Sequence, residues 1–350
     1  MPEKVQRSLR TYGVAGLFIE PERSLISCCS GTPKCGLRQR ESTAYHHAHL
    51  SEDIFDTIAR SLTECVGVRS TGRIQGVNPK TVLRVLARAA DHAVKVSRSL
   101  LKGVWVSECQ LDEMWSFIGK KEQHLDPVEK LEGIMGDAWI WIAFDSVHKV
   151  VLAHIVGKRT EPYAVSLLQE VNRVTACMPT LFSSDQLDQY KSALLKVYGV
   201  PVLPPKKSGP GRPPHSKLVP PDDLLYVQVV KKYKRNRVAD ISSRIVFGDP
   251  LKVDEVLRQS KVSQAINTSY VERNNGTVRH IDARCTRKTY RFSKCSQNHV
   301  RQLDLSLAYY HLCLPHRTLT KRNKRSTTPF MSAGLTDHVW TMRELLQYKP

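Results

Sequence analysis

The stretch 269–279, Ser-Tyr-Val-Glu-Arg-Asn-Asn-Gly-Thr-Val-Arg, sets a single carboxylate in strongly cationic surroundings. Across 268–330 there are 13 Lys and Arg against 3 acids, Glu272, Asp282 and Asp304. On a helix of about 3.6 residues per turn, Glu272, Asn275 and Arg279 fall at i, i+3 and i+7 and share one face. That face could hold a divalent cation through Glu272 and a phosphate through Arg279. A solvated helix carrying one stray acid has the same local pattern, so other carboxylates must join it for chemistry to follow. Asp112 and Asp185 are the two upstream acids that the chain can bring there.

The elements that would position them are extended. Residues 104–118 are rich in aromatic and β-favouring types, with Trp105, Ser107, Cys109, Leu111, Glu113 and Trp115 on one face. Asp112 and Glu113 therefore point to opposite faces. Asp112 is assigned to the site, and Glu113 takes its place if the pleat is reversed. Residues 139–145 and 150–156 read as two strands joined by a turn at 145–149, with Asp145 as a turn residue. Residues 161–174 form an amphipathic helix with Ala164, Leu167, Leu168 and Val171 inward. A short buried strand at 180–184 ends at Asp185, and 187–198 is helical again. Asp188, in the first turn of that helix, is explained by the helix dipole, so Asp185 is preferred.

Three strands, a helix, a strand and a helix is the order of a ribonuclease-H-like α/β domain, in which the first and fourth strands are neighbours. Asp112 and Asp185 would then lie side by side, with Glu272 completing the cluster. Three such acids repel one another, which implies a shifted pKa or neutralisation by a divalent cation. Oxygen-only ligands suit Mg2+ or Mn2+. Two such ions, about 3.5–4 Å apart, would activate a water or a 3′-hydroxyl and stabilise the leaving oxygen of a phosphodiester.

Composition points to the partner. With 53 Lys and Arg against 33 Asp and Glu, the 350-residue chain carries a formal charge of +20, which favours a polyanion over a neutral metabolite. No long apolar run or cleavable leader is visible, so a cytoplasmic protein with no membrane partner is expected. The odd count of 9 cysteines suggests reduced thiols rather than a disulfide framework. Cys28, Cys29 and Cys35, followed by His46, His47 and His49, invite a zinc site but lack paired Cys-x-x-Cys arms, leaving free thiols in an N-terminal arm as the competing reading.

From residue 50 the pattern is helical. Ile54, Ile58, Ala59, Leu62 and Cys65 form one apolar stripe, and a short helix follows at 68–74. After Gly76, Asn78 can cap a third helix with Pro79 at its first position, and Val82, Leu83, Leu86 and Ala89 face inward. The series resembles a helix-turn-helix, which would expose Lys80, Thr81, Arg84 and Arg88 to the phosphates and base edges of a major groove. A purely structural three-helix unit is the alternative. Residues 200–267 read as an insertion before the glutamate helix. Its start is rich in Pro, Gly and Lys, and Gly-Pro-Gly-Arg-Pro-Pro at 209–214 resembles the centre of an AT-hook, presenting Arg212 to a minor groove; a plain linker fits equally. Within it, 225–230 and 243–247 read as a hairpin with 231–237 as its basic tip.

Several runs together resemble DDE transposases of the insertion-sequence-one family. They are Leu-Asp-Glu-Met-Trp-Ser-Phe-Ile-Gly-Lys-Lys at 111–121, Val-Gly-Lys-Arg-Thr at 156–160, Tyr-Val-Glu-Arg-Asn-Asn at 270–275, Phe292 to Lys294, Tyr309 with Tyr310, and Thr-Pro-Phe-Met-Ser-Ala-Gly-Leu-Thr-Asp-His-Val-Trp at 328–340. The resemblance runs from about residue 50 to the C-terminus. It implies that Asp112, Asp185 and Glu272 are the metal-binding triad, that Arg279 is the basic residue seven positions after the glutamate, and that the protein acts as a multimer on paired DNA ends. The zinc ribbon common at the N-terminus of that family is not recognisable here, and Gln-Leu-Asp-Gln-Tyr follows the second aspartate.

The expected architecture is an N-terminal arm over 1–49, a helix-turn-helix domain over 50–100, a ribonuclease-H-like catalytic domain over 104–315 with a hairpin-containing insertion at 200–267, and a basic C-terminal tail over 316–350. In that tail Trp340, Leu345 and Leu346 are expected to pack. The expected function is a metal-dependent DNA transposase acting on double-stranded terminal repeats and target DNA, with Arg273 and Asn275 as further DNA contacts. The alternative is a regulatory DNA-binding derivative without catalysis.

Overall fold

Ser51 accepts the Ile54 N–H and starts helix α1 (Glu52–Thr63), whose Phe55, Ile58, Ala59 and Leu62 are buried. Helix α2 (Val68–Ile74) follows, and Gly72 lies so close to the next turn that an added Cβ would stand 2.8 Å from the Val77 carbonyl oxygen. Asn78 accepts the Lys80 N–H, Pro79 takes the first helical position, and helix α3 (Pro79–Leu100) begins there. The expected Asn78 cap is present, and of the expected stripes Ile58, Ala59, Leu62, Val82, Leu86 and Ala89 are buried, whereas Ile54 is exposed with Phe55 inward in its place, and Cys65 and Leu83 are half-buried. The computed structural model describes residues 40–204, 215–235 and 237–350. Cys28, Cys29, Cys35 and Arg212 lie outside the described residues.

Strand β1 (Glu108–Ile118) follows, then a short helix α4 (Pro127–Glu132), strands β2 (Gly136–Asp145) and β3 (Val150–Gly157), helix α5 (Glu161–Val174), strand β4 (Leu181–Asp185) and helix α6 (Asp188–Tyr198). A small separate pair, β5 (Val200–Val202) and β6 (Lys217–Val219), precedes the long hairpin of β7 (Leu225–Lys234) and β8 (Arg237–Phe247). Helices α7 (Pro250–Gln259), α8 (Ser269–Ile281), α9 (Ser296–Leu312), α10 (Arg317–Asn323), α11 (Pro329–Ser332) and α12 (Met342–Gln347) complete the chain.

The main sheet is mixed, with strand order β3-β2-β1-β4-β7-β8. β1, β2 and β3 run antiparallel to one another, β4 is parallel to β1, β7 is parallel to β4, and β8 returns antiparallel. Alternation sends the two pleat faces to different helices. Leu111, Trp141, Ala143 and Phe182 pack with Leu167, Leu168, Val171 and Tyr190 of α5 and α6. Met114, Ile140, Ile142 and Phe144 pack with Val271, Val278 and Ile281 of α8 and with Leu303 and Leu307 of α9.

The hairpin expectation needs correction in its setting. β7 and β8 do pair, with Tyr226 opposite Phe247 and Val230 opposite Ser242, but the hairpin is not a body set apart from the sheet. Leu225 to Val229 lie in parallel register beside Leu181 to Asp185. The expected tip is itself largely strand, since β7 extends to Lys234 and β8 begins at Arg237.

The helices share the sheet's core through α9, which packs along α3. Arg301 pairs with Asp91 at 3.2 Å, and Gln302 Nε2 donates to the Leu62 carbonyl at 3.0 Å. Trp340, Leu345 and Leu346 are buried as expected for the C-terminal segment, and Arg343 reaches Asp56 at 2.6 Å and Asp53 at 2.5 Å on α1. Among the described residues six cysteines, Cys65, Cys109, Cys177, Cys285, Cys295 and Cys313, are free. Among them, too, no helix is long and apolar enough to cross a membrane.

His311 of α9 gives this core a pH sensitivity. Its Nε2 accepts the Val151 N–H at 3.0 Å, and its ring stacks on Phe330 with centroids 4.6 Å apart. Burial, helped by nearby His154, pushes its pKa down from the ordinary 6.5 to about 3. Below pH 6.5 the unfolded chain takes up a proton that the folded one refuses, so stability falls from about pH 6.5 towards pH 3 and is insensitive to this group above that window. Substituting His311→Gln, which keeps an acceptor for Val151, should flatten the fall in urea-unfolding free energy between pH 6.5 and 4 relative to the parent. Parallel profiles would exclude His311 as a source of the acid sensitivity.

Candidate active site

Register sets the site. On β1 and β4, Glu108 lies opposite Leu181 and Gln110 opposite Ser183. Continuing two residues along the same pleat face brings Asp112 level with Asp185 on strands about 4.8 Å apart. The same face carries Met114, which packs on α8, so Asp112 rather than Glu113 faces the glutamate helix. Glu113 points away and is held by Arg159 at 2.9 Å, beside the buried Tyr190.

Helix α8 is pinned over this face by Gln110, two residues before Asp112. Its Oε1 accepts the Val271 N–H at 2.9 Å, and its Nε2 donates to the Asn267 carbonyl at 2.9 Å. The N-terminus of α8 is thereby capped from the neighbouring strand, because the side chain of Thr268, at the N-cap position, makes no capping bond. The Thr268 hydroxyl lies instead between two acids, 3.1 Å from Asp185 Oδ1 and 2.9 Å from Glu272 Oε1. Glu272 sits in the first turn of α8, where the helix dipole favours an anion.

A lysine joins the same pair. Val229 is opposite Asp185 in the β4–β7 register, and Lys231, two residues further on β7, reaches both Asp185, at 3.4 Å, and Glu272. Burial works against the Lys231 ammonium, but its bond to Glu272 and the pull of both carboxylates hold its pKa above the ordinary value. Asp112 lies beside this group, bonded to Asn275 Nδ2 at 2.6 Å. Its pKa is pushed up to about 7, first by burial and then by Glu113, with Asp185 and Glu272 adding to the effect and the Glu113 backbone N–H opposing it. Arg279 is half-buried near Asp112; burial and the neighbouring Arg287 lower its pKa, and the attraction of Asp112 opposes that shift. Arg279 Nε is buried without a hydrogen-bond partner.

The structure thus brings together Asp112, Asp185, Glu272 and Arg279. Asn275 corrects an expectation: it is buried and committed to Asp112, so it cannot be a DNA contact. Arg273 is exposed on α8 and acts electrostatically on His316. On α3, Lys80 and Arg84 are exposed and Thr81 is half-buried. Arg88 is partly exposed, and its guanidinium donates to the His46 carbonyl. Asp145 is a turn residue as expected: its carboxylate accepts the Val147 and His148 N–H groups at 2.8 and 3.2 Å.

The donors gathered here are hard carboxylate oxygens, and the Lys231 ammonium is a cation standing between two of them. Among the described residues, no group of three His, Cys, Asp or Glu side chains is arranged as it stands to hold a metal ion. Sequence reasoning missed Lys231, Thr268 and Gln110. Gln110 alone had a signal, the two-residue spacing that puts it on the face of Asp112. No protein-family model matches the sequence, and no curated protein matches it.

Replacing Gln110 with Ala would leave the buried Val271 N–H without its partner. A loss of about 1–3 kcal/mol is expected, with faster amide exchange confined to the first turn of α8. Unchanged exchange at Val271 would show that α8 is held by its apolar face alone.

Proposed function

We propose that this protein is a DDE-type DNA transposase resembling the insertion-sequence-one family. In this reading a ribonuclease-H-like domain cuts and joins strands while the N-terminal helices hold the terminal repeats. The observation that carries it is the meeting of Asp112, Asp185 and Glu272 from three separate elements, with Thr268 between Asp185 and Glu272 and with Asp112 close enough to feel the charge of both. The sheet supports it further: three antiparallel strands followed by parallel fourth and fifth strands is the order of the ribonuclease-H-like fold. The charge of +20 fits double-stranded DNA as both terminal repeat and target.

The reading requires Mg2+ or Mn2+, and the all-oxygen donor set suits either. Asp185 and Glu272 would hold the ion where Lys231 already accommodates positive charge, and Asp112 would complete the set. Bound there, the metal would activate a water or 3′-hydroxyl and stabilise the leaving oxygen of a phosphodiester. The chain's own groups have distinct tasks. Asn275 orients the Asp112 carboxylate, Thr268 ties Asp185 to Glu272, and Arg279 supplies positive charge beside Asp112 for a phosphate. In the helical segment, Lys80 and Arg84 are the groups free to meet DNA, in the manner of a helix-turn-helix. The protein would work in the cytoplasm as a homo-oligomer bridging paired ends.

A second reading is a regulatory DNA-binding derivative whose carboxylates are structural. It is favoured by the Lys231 pairing, which satisfies Asp185 and Glu272 without a metal. The two separate in a strand-nicking and joining assay on terminal-repeat DNA with Mg2+. Glu272→Gln should reduce both reactions to background while DNA affinity stays within about twofold; equal activity in parent and variant would end the catalytic reading. For the helical segment, Arg84→Ala should weaken DNA binding and reduce the slope of log affinity against log salt by about 1. An unaltered slope would assign α3 to structure alone.

A further inference from the structure

The far half of β1 and the loop after α8 carry aromatic and basic side chains that the carboxylate site does not use. On the pleat face that starts with Glu113, Trp115 and Phe117 follow with ring centroids 5.6 Å apart, and Phe292 continues the row 4.7 Å from Phe117. Trp139 stands opposite Trp115 in register, with the Arg159 guanidinium 4.7 Å from its ring centroid. All four rings remain partly exposed, and Tyr290 is 98% exposed. Lys121 stands 5.7 Å from the Trp115 centroid and Lys294 3.2 Å from that of Phe292. A cavity of about 600 Å³ opens over Trp115, Phe117 and Phe292 and is walled by Arg287, Lys288 and Tyr290.

These features select one kind of ligand. The segment 283–303 holds 6 Lys and Arg and no acid, so the patch calls for an anion. A row of exposed rings needs flat apolar partners, and a patch of this type rimmed with charge marks a binding surface rather than a core. A duplex hides its base faces in the stack and offers only phosphates and edges. An unpaired strand offers both a polyanionic backbone and free base faces, and aromatic–base stacking interleaved with Lys and Arg is how such strands are held. The row lies on the pleat face opposite Asp112, on the part of β1 that runs past the end of β4, so it is a surface apart from the carboxylates.

We propose that this aromatic and basic surface binds single-stranded DNA, with bases on Trp115, Phe117 and Phe292 and phosphates on Arg287 and Lys288. The assignment rests on the nucleic-acid reading above and adds a site for unpaired bases that a duplex-binding protein would not need.

The test is fluorescence anisotropy with a short labelled oligothymidylate and a duplex of the same length, at one salt concentration, using the full chain. Tyr290→Ala, at an exposed position, and Phe292→Ala should each weaken oligothymidylate binding by ~5- to 100-fold and alter duplex binding by less than about twofold. Oligothymidylate should also quench the tryptophan emission of the parent, and Trp115→Phe should remove most of that quench while keeping the affinity. Oligothymidylate affinity unchanged in both alanine variants, with duplex binding intact, would overturn this surface and leave the proposed function standing. An equal loss on duplex and single strand would overturn it too, as a general phosphate-binding face. A parent that binds neither DNA would sink both.

Discussion

Like charges gathered on one sheet face repel, and the arrangement around Asp112, Asp185 and Glu272 is organised against that repulsion. Asn275 meets Asp112, while Asp185 and Glu272 share the Thr268 hydroxyl and the Lys231 ammonium. The remaining cost shows in Asp112, which burial and its acidic neighbours make harder to ionise. Three strands and a helix must be correctly placed for these partners to arrive. β1 supplies Asp112 and, through Gln110, the anchor for α8; β4 supplies Asp185; β7 brings the lysine.

Much of this was legible from residue types. β1 to β4 and α5 to α6 follow from local alternation and helical periodicity, whereas alternation set Asp112 and Glu113 on opposite faces and left the choice between them to the packing of Met114 against α8. Glu272 stood out because it is the lone acid of a basic helix. What escaped depends on pairing between distant segments. The Pro- and Gly-rich stretch before β7 looked like the start of an insertion, and nothing local says that Leu225 to Val229 will join β4. Lys231 lies among other lysines, so its type gave no hint that it alone turns to the acids. Asn275 was read as a DNA contact because polar residues on basic helices usually face solvent; the Asp112 carboxylate claimed it.

The N-terminal helices and the sheet are joined more intimately than a linked pair of modules would be. α3 lies along α9, whose other side covers the sheet face below α8, and α12 closes over α1 and α3 through Arg343 and the His92 contact to the Leu345 carbonyl at 3.1 Å. Exposed Lys80 and Arg84 therefore stand on the same rigid scaffold as the carboxylates. A DNA contact at one would hold its orientation relative to the other without a flexible tether.

The long hairpin has a mechanical aspect. β4 ends at Asp185, opposite Val229, so beyond that point β7 and β8 continue as a two-stranded ribbon with, among the described residues, no further strand beside β7. A free ribbon of this sort twists and bends more easily than a sheet interior. Lys231 is rooted two residues past the place where the support stops. The ammonium that bridges Asp185 and Glu272 is therefore carried at the root of a pliable arm rather than on a clamped strand.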